Sequence, residues 1–327
     1  MVNLFSWIGH FYPITGPPGS PTFLTPDLWS LVHRDVLKQC DGLDGVLDGI
    51  LEDPTLCQYR PEDLICTPGE KSGCLTGVQA NTVRQVLAPM YGEEGELVYP
   101  RMQPGTEVQS STVFYSGQVT QLASVCCIMF FLLLIPLLIP PLQDWYRYVV
   151  YDPSFNASSL GPEDWARAAR QDPFNISAWN GDLSAFKSRG GKLLHHHGLQ
   201  DFVVSSEGSN AYYDHVSTTM NLPPASLDDF YRFFRISGMG HCSEGPGAWQ
   251  IGNTEIGNSG LAPEENVLMA MVQWIEKGKA PESILGKKYV NDDRAQGLSF
   301  SRRHCKYPAR NVFLGGNSTV PESWGCQ

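Results

Sequence analysis

The sequence predicts an α/β protein with two unlike halves, and three observations carry that prediction. From about residue 164 onward, stretches of strand character alternate with stretches of helical period, the pattern of a strand layer covered by helices. The first half holds short helical stretches between Pro-, Gly- and Asp-rich connections and reads as an accessory or lid domain. Gly (32) and Pro (24) are abundant in the 327 residues, so elements are expected to be short and loops long. With 42% hydrophobic and 17% charged residues the chain is globular, which excludes general disorder. Lys and Arg number 23 against 34 Asp and Glu, a net charge of −11, and such a surface repels phosphate backbones. Nucleic acid is excluded as a partner.

The elements follow in order. Pro13 to Pro26 is a Pro/Gly/Thr entry loop. Asp27–Lys38 has apolar residues at Leu28, Leu31, Val32, Val36 and Leu37, a helical period with an acidic start. Thr76–Leu87 reads as a second short helix, and the stretch from Asp164 as a Trp/Ala helix. Lys192–His197, between Gly190-Gly191 and Gly198, is a strand candidate, and the aromatic run Asp228–Ile236 a buried one. Ala262–Lys277 is an amphipathic helix with Val267, Leu268, Met271, Trp274 and Ile275 on one side.

One run fits none of these. Between Glu107 and Asp144 there is no charge, and Leu122–Leu142 is nearly all apolar. About 20 such residues can span a bilayer as a helix. Pro136, Pro140 and Pro141 would break that helix, and only Arg147 lies near to orient it. A membrane span is therefore disfavoured against an insertion in a soluble domain.

Nine cysteines cannot all pair. Cys40 and Cys57 bracket a Gly/Asp-rich stretch, Cys66 and Cys74 are close neighbours, and Cys305 and Cys326 sit near the C-terminus. Three short-range pairs fit these spacings and an oxidising compartment, with buried thiols as the alternative. Sequons at Asn156, Asn175 and Asn317 agree with a secretory route. Met1 to Gly19 nevertheless has no basic n-region and no uninterrupted apolar core, so no signal peptide is read there.

Two constellations carry chemistry. Asp41, Asp44 and Asp48 place three carboxylates within eight residues, and Gly45 and Gly49 let the backbone curl around them. Such a loop offers the oxygen ligands that a hard cation such as Ca²⁺ takes, although the spacing is not an EF-hand's; the alternative is a solvated acidic turn. Asp201 and His241 each follow a strand candidate, forty residues apart, in the Asp-then-His order of α/β-hydrolases. The aspartate would hold the imidazole tautomer, and His241 would serve as general base and then acid. His195, His196 and His197 suggest zinc only weakly, because neighbours on a strand point to opposite faces. No Gly-x-Ser-x-Gly elbow occurs in these residues, and Ser20, Ser30, Ser72 and Ser243 lack its context.

These residues resemble the tannase and feruloyl esterase family. The likeness rests on Cys40-Asp41 through Asp53-Pro54 with Cys57, Cys66 and Cys74, on Gly190-Gly191-Lys192 with His197-Gly198 and Asp201, and above all on Gly238-Met-Gly-His241-Cys242 with Gly245-Pro-Gly247. It implies a partial α/β-hydrolase fold with a loop-rich, calcium-binding lid. Residues 1–26 would be a remnant of the core, 27–150 the lid with an apolar insertion at about 124–143, and 151–327 the C-terminal half of the hydrolase domain. By the same resemblance Asp201 and His241 are the triad acid and base. Asp41, Asp44 and Asp48 with the Val46 and Ile50 carbonyls would hold calcium. The resemblance further implies that Cys40–Cys57, Cys66–Cys74 and Cys305–Cys326 would be disulfides and the protein a secreted serine carboxylesterase. Its substrates would be small phenolic esters, in plant cell wall or tannin.

The sequence departs from the family in two respects. The nucleophile's Gly-Cys-Ser-x-Gly-Gly elbow is absent, and with it the disulfide partner of Cys242. The apolar block also separates Tyr115-Ser-Gly-Gln-Val from Asp144-Trp-Tyr-Arg, which run together in the family. The expectation is an N-terminally truncated, inactive chain that folds poorly alone because its sheet lacks strands. Two rivals remain, a non-catalytic calcium-stabilised binding module and a membrane-tethered fragment.

Overall fold

The computed structural model describes residues 2–70, 72–115, 145–156, 159–253 and 260–327. The apolar run at 122–142 lies outside them; among the described residues no helix is long and apolar enough to cross a membrane. The chain divides into two compact units. One comprises 1–35, 60–102 and 106–178, the other 36–59, 103–105 and 179–327, so the acidic segment falls in the second.

The first unit is helical. Helix α1 (Val2–Thr15) continues past Pro13, which the sequence reads as loop. The proline lacks one amide, but Thr15 Oγ1 donates to the Phe11 carbonyl at 3.0 Å and Gly16 N to that of Tyr12 at 2.8 Å, closing the last turn around it. Trp7 and Phe11 are buried, with ring centroids 4.9 Å apart, and Trp7 also lies 4.9 Å from Tyr99. Helix α2 (Pro26–Cys40), whose residues 26–35 belong to this unit, buries Trp29 and Val32 there. Helix α3 (Gly77–Val86) starts at a capping box: Gln79 N donates to Thr76 Oγ1 at 3.1 Å, and Thr76 N to Gln79 Oε1 at 3.0 Å. A small hairpin, β1 (Met90–Tyr91) with β2 (Leu97–Tyr99), leads to α4 (Glu107–Val113), and α5 (Pro162–Gln171) buries Trp165 and Ala168.

The second unit is built on two parallel strands. After the short α6 (Ser184–Ser188), β3 (Leu193–Gly198) pairs with β4 (Tyr231–Ile236) from Leu193↔Tyr231 to Gly198↔Ile236 without a bulge. The crossover runs through α7 (Glu207–Met220) and α8 (Pro224–Leu227). All six β4 residues are buried, as parallel strands covered on both faces require. One face packs Tyr231 and Phe233 with Tyr213 and Val216 of α7. The other packs Phe234 and Ile236 with Ala270 and Ile284.

Helix α9 (Val267–Lys277) begins five residues later than the pattern suggests. Asn266 Oδ1 accepts from Leu268 N at 3.0 Å and Met269 N at 3.1 Å, and that cap sets the start. Its buried stripe is also narrower than expected: Ala270 and Trp274 are buried, whereas Leu268 and Ile275, about 100–160° away from them around the helix, are 52% and 63% exposed. Two hairpins not read from the sequence complete the unit, β5 (Ser283–Tyr289) with β6 (Leu298–Cys305) and β7 (Asn311–Phe313) with β8 (Trp324–Cys326). The three expected disulfides, Cys40–Cys57, Cys66–Cys74 and Cys305–Cys326, are all formed.

A buried ionic cluster ties the acidic segment to these hairpins. Arg302 is 2% exposed and lies 3.6 Å from the Trp324 ring centroid. Its guanidinium bonds Glu52 Oε2 and, at 3.0 Å, Asp48 Oδ2. Glu52 Oε1 accepts from Ser237 Oγ at 2.5 Å and Asn311 Nδ2 at 2.6 Å. Arg235 and Arg310 each reach Asp53 Oδ2 at 3.1 Å. Removing one partner of such a cluster strands a charge in the interior. Arg302→Met is therefore expected to lower unfolding free energy by about 3–5 kcal/mol in chemical denaturation, and Arg310→Met, whose partner stays paired with Arg235, by far less.

Candidate active site

The register of β3 and β4 decides what meets at their C-terminal ends. Pairing continues past the strands: Leu199 N donates to the Ile236 carbonyl at 2.9 Å, and Gln200 N to that of Met239 at 2.9 Å. The two loops approach so closely that a Cβ at Gly198 would collide with the Met239 and Gly240 carbonyls. The second loop doubles back through Gly240 N to the Glu244 carbonyl (2.9 Å) and Gly247 N to that of Gly238 (3.0 Å), and a Cβ at Gly247 would strike the Ser237 carbonyl.

This folding brings Asp201 and His241 together. His241 Nδ1 donates to Asp201 Oδ2 at 2.9 Å. The carboxylate is 2% exposed, and its other oxygen accepts from Val203 N at 2.7 Å and Val204 N at 2.9 Å. A second imidazole, His197, donates from Nε2 to the same Oδ2 at 3.1 Å. Burial alone would push the Asp201 pKa up; hydrogen bonds and charge from His197 and His241 outweigh it and hold the carboxyl well below the usual range. The bond to Asp201 raises the His241 pKa against the opposing effect of burial.

The three consecutive histidines sort by face, as alternation requires. His195 and His197 lie on one side, joined through Ser209 of α7, whose Oγ is 3.1 Å from His195 Nε2 and 2.6 Å from His197 Nδ1. Neither this set nor any other group of three His, Cys, Asp or Glu side chains among the described residues is arranged to hold a metal ion by itself.

In the acidic loop, both oxygens of Asp41 accept from Gly49 N at 3.1 Å, Asp44 Oδ1 from Val46 N at 2.9 Å and Asp48 Oδ1 from Ile50 N at 3.1 Å. Asp44 Oδ2 is buried without a hydrogen-bond partner among the described residues, and burial pushes the Asp44 pKa up to about 6. Cys242 is exposed, lies outside the three disulfides and has a left-handed φ of 65°.

In the sequence His197 stands only as part of the Gly190–Asp201 motif, without a role, and no local signal marks Ser209, Tyr231, Glu52 or Arg302. The spacing of His197 from Asp201 was visible; the others are joined only by tertiary contacts.

Among solved structures, an esterase from Aspergillus oryzae superposes with a TM-score of 0.91 at 50% identity, over 100% of this chain and 62% of that one. Feruloyl esterase B from Aspergillus oryzae gives 0.88 at 43% identity, over 100% and 61%. The architecture is thus of the α/β-hydrolase type. A family model for tannase and feruloyl esterase matches residues 14–327, and a probable feruloyl esterase B-1 of Aspergillus flavus is 50% identical over 100% of this chain. The chain belongs to the tannase and feruloyl esterase family. It spans about three-fifths of the length of the curated relatives it matches, 59% of the Aspergillus flavus protein.

Buried histidines make this unit sensitive to acid. Burial lowers the pKa of His195 to about 3 and of His304 to about 4, far below the roughly 6.5 of an unfolded chain. The unfolded state therefore binds more protons between pH 6.5 and 4, and stability falls as pH drops through that window. His241, shifted upward, acts oppositely and loses its contribution as pH rises above 6.5. The histidine contribution to stability is expected to be greatest near pH 6.5, and His304→Gln to flatten the acid limb of denaturation by up to about 3 kcal/mol at pH 4.

Proposed function

We propose that this chain carries the acid and base of a serine carboxylesterase acting on phenolic esters of the feruloyl type. The observation that supports it most is the 2.9 Å bond between His241 Nδ1 and a buried, ionised Asp201. With Nδ1–H held by the carboxylate, Nε2 is left as the base that takes a serine hydroxyl proton and later returns it to the leaving alcohol. Asp201 stabilises the imidazolium formed in between. The 327 residues hold no Gly-x-Ser-x-Gly elbow, so by themselves they are proposed to be inactive. Relatives named as feruloyl esterases at 50% identity support the substrate class, and three disulfides support an oxidising, secretory compartment.

Structural calcium belongs to the same reading. Asp41, Asp44 and Asp48 with the Val46 and Ile50 carbonyls would hold it, and Asp44 Oδ2, which has no hydrogen-bond partner among the described residues, offers an oxygen that fits a cation. The ion would supply charge neutralisation to the loop. Because Asp48 already shares Arg302, backbone carbonyls would have to complete the ligand set.

Three measurements test these proposals. Turnover of methyl ferulate by the 327-residue chain is expected to match buffer, and turnover abolished by His241→Ala would overturn the inactivity. Fused behind the nucleophile-bearing segment of the Aspergillus oryzae feruloyl esterase, the chain is expected to gain activity that His241→Ala lowers by at least about a thousandfold. Saturable ligand binding without hydrolysis by that fusion would favour a binding module instead. Separately, Ca²⁺ at a hundredfold excess over its dissociation constant is expected to add about 2.7 kcal/mol to stability, an effect that Asp44→Asn abolishes.

A further inference from the structure

We infer that Tyr231, His195, Ser209 and His197 form a one-way chain of hydrogen-bond donors ending on Asp201 Oδ2, and that this chain governs how strongly the same oxygen draws the His241 proton. The inference deepens the esterase reading, because it gives His197 the part of a positioning residue for that acid–base pair.

The polarity follows from the acceptor at the end. An ionised carboxylate can only accept, so both His197 Nε2 (3.1 Å) and His241 Nδ1 (2.9 Å) must donate to Oδ2. A neutral His197 protonated on Nε2 leaves Nδ1 as an acceptor, and the hydroxyl in reach is Ser209 Oγ at 2.6 Å. Having donated there, Ser209 accepts from His195 Nε2 at 3.1 Å. His195 Nδ1 is then an acceptor for the Tyr231 hydroxyl, also at 3.1 Å. Each link fixes the tautomer of the next, and successive donors polarise one another in the same sense. Burial keeps His195 neutral and Tyr231 protonated, the states this polarity needs.

The carboxylate is thereby saturated. Val203 N and Val204 N fill Oδ1, and the two imidazoles fill Oδ2, so roughly all four lone-pair sites of Asp201 are occupied. His197 and His241 share one oxygen, and a weaker donor on one side leaves more of its charge for the other. The charge acting on His241 is that of Asp201, and those acting on Asp201 are His197 and His241. His195 is faced by His196 and His197, Tyr231 by Tyr212, Tyr213 and Asp214 of α7, Arg235 of β4 is paired with Asp53, and further carboxylates on the neighbouring segments are Glu207 of α7 and Glu244.

Nitrogen-15 NMR of histidine-labelled full chain tests this without requiring turnover. In the unaltered chain above pH 7, His195 and His197 are expected as Nε2–H tautomers. In Ser209→Ala, which leaves every group touching Asp201 in place, His197 is expected to become a tautomer mixture. The His241 midpoint is expected to rise by a few tenths of a unit there and by roughly 0.5–1 unit in His197→Phe, with Ser209→Thr restoring it. An Nδ1–H tautomer at His197 in the unaltered chain would overturn the inference, as would an unmoved His241 midpoint in a folded Ser209→Ala protein. Absence of esterase activity in the fusion described above would remove the catalytic reading while leaving the tautomer result standing.

Discussion

The bulge-free parallel pairing of β3 with β4 is the constraint on which the second unit depends. Six consecutive register pairs end level at Gly198 and Ile236, so the loops that follow leave the sheet side by side. Only then can Asp201 and His241, forty residues apart, share a hydrogen bond. A one-residue slip would turn His195 and His197 to the opposite face and separate the loops. Glycine at 198 is part of the same constraint, since a side chain there would hold the loops apart.

Charge is handled differently in the two acidic places of the second unit. Around Asp201 the compensation comes from neutral or titratable donors, two backbone amides and two imidazoles, which leave the carboxylate ionised and its partner responsive to pH. In the segment 48–53 it comes from arginines, whose guanidinium groups stay charged at any working pH and present several donors at once. The first arrangement leaves the neighbouring imidazole able to gain and lose a proton, and the second holds its segment in place. Asp44 belongs to neither: its Oδ1 accepts from Val46 N, and its Oδ2 has no hydrogen-bond partner among the described residues.

The histidine run shows how one strand serves two purposes. Leu193, His195 and His197 alternate with Leu194 and His196, so the face that packs on α7 is also the face that reaches Asp201. Ser209 is the only contribution α7 makes to the chain of donors, and it sits in the first turn of that helix, beside the end of the strand. Hydrophobic packing of Tyr213 and Val216 farther along α7 therefore holds the serine in reach.

Much of this protein is legible locally. The helical periods of α2 and α3, the strands bounded by Gly190-Gly191 and Gly198, the three short-range cysteine pairs, and Asp201 and His241 as post-strand residues all follow from spacing and residue type, because each reflects interactions between near neighbours in the chain or a motif of fixed spacing. Helix α1 past Pro13, the late start of α9 and the two C-terminal hairpins do not, since caps, turn closure and burial outvote periodicity there. Arg302 with Glu52, 250 residues apart, and Ser209 between two histidines were decided by tertiary structure alone. Their partners are distant in sequence, and nothing in an isolated segment records which buried charge or hydroxyl will lie opposite it once the layers close.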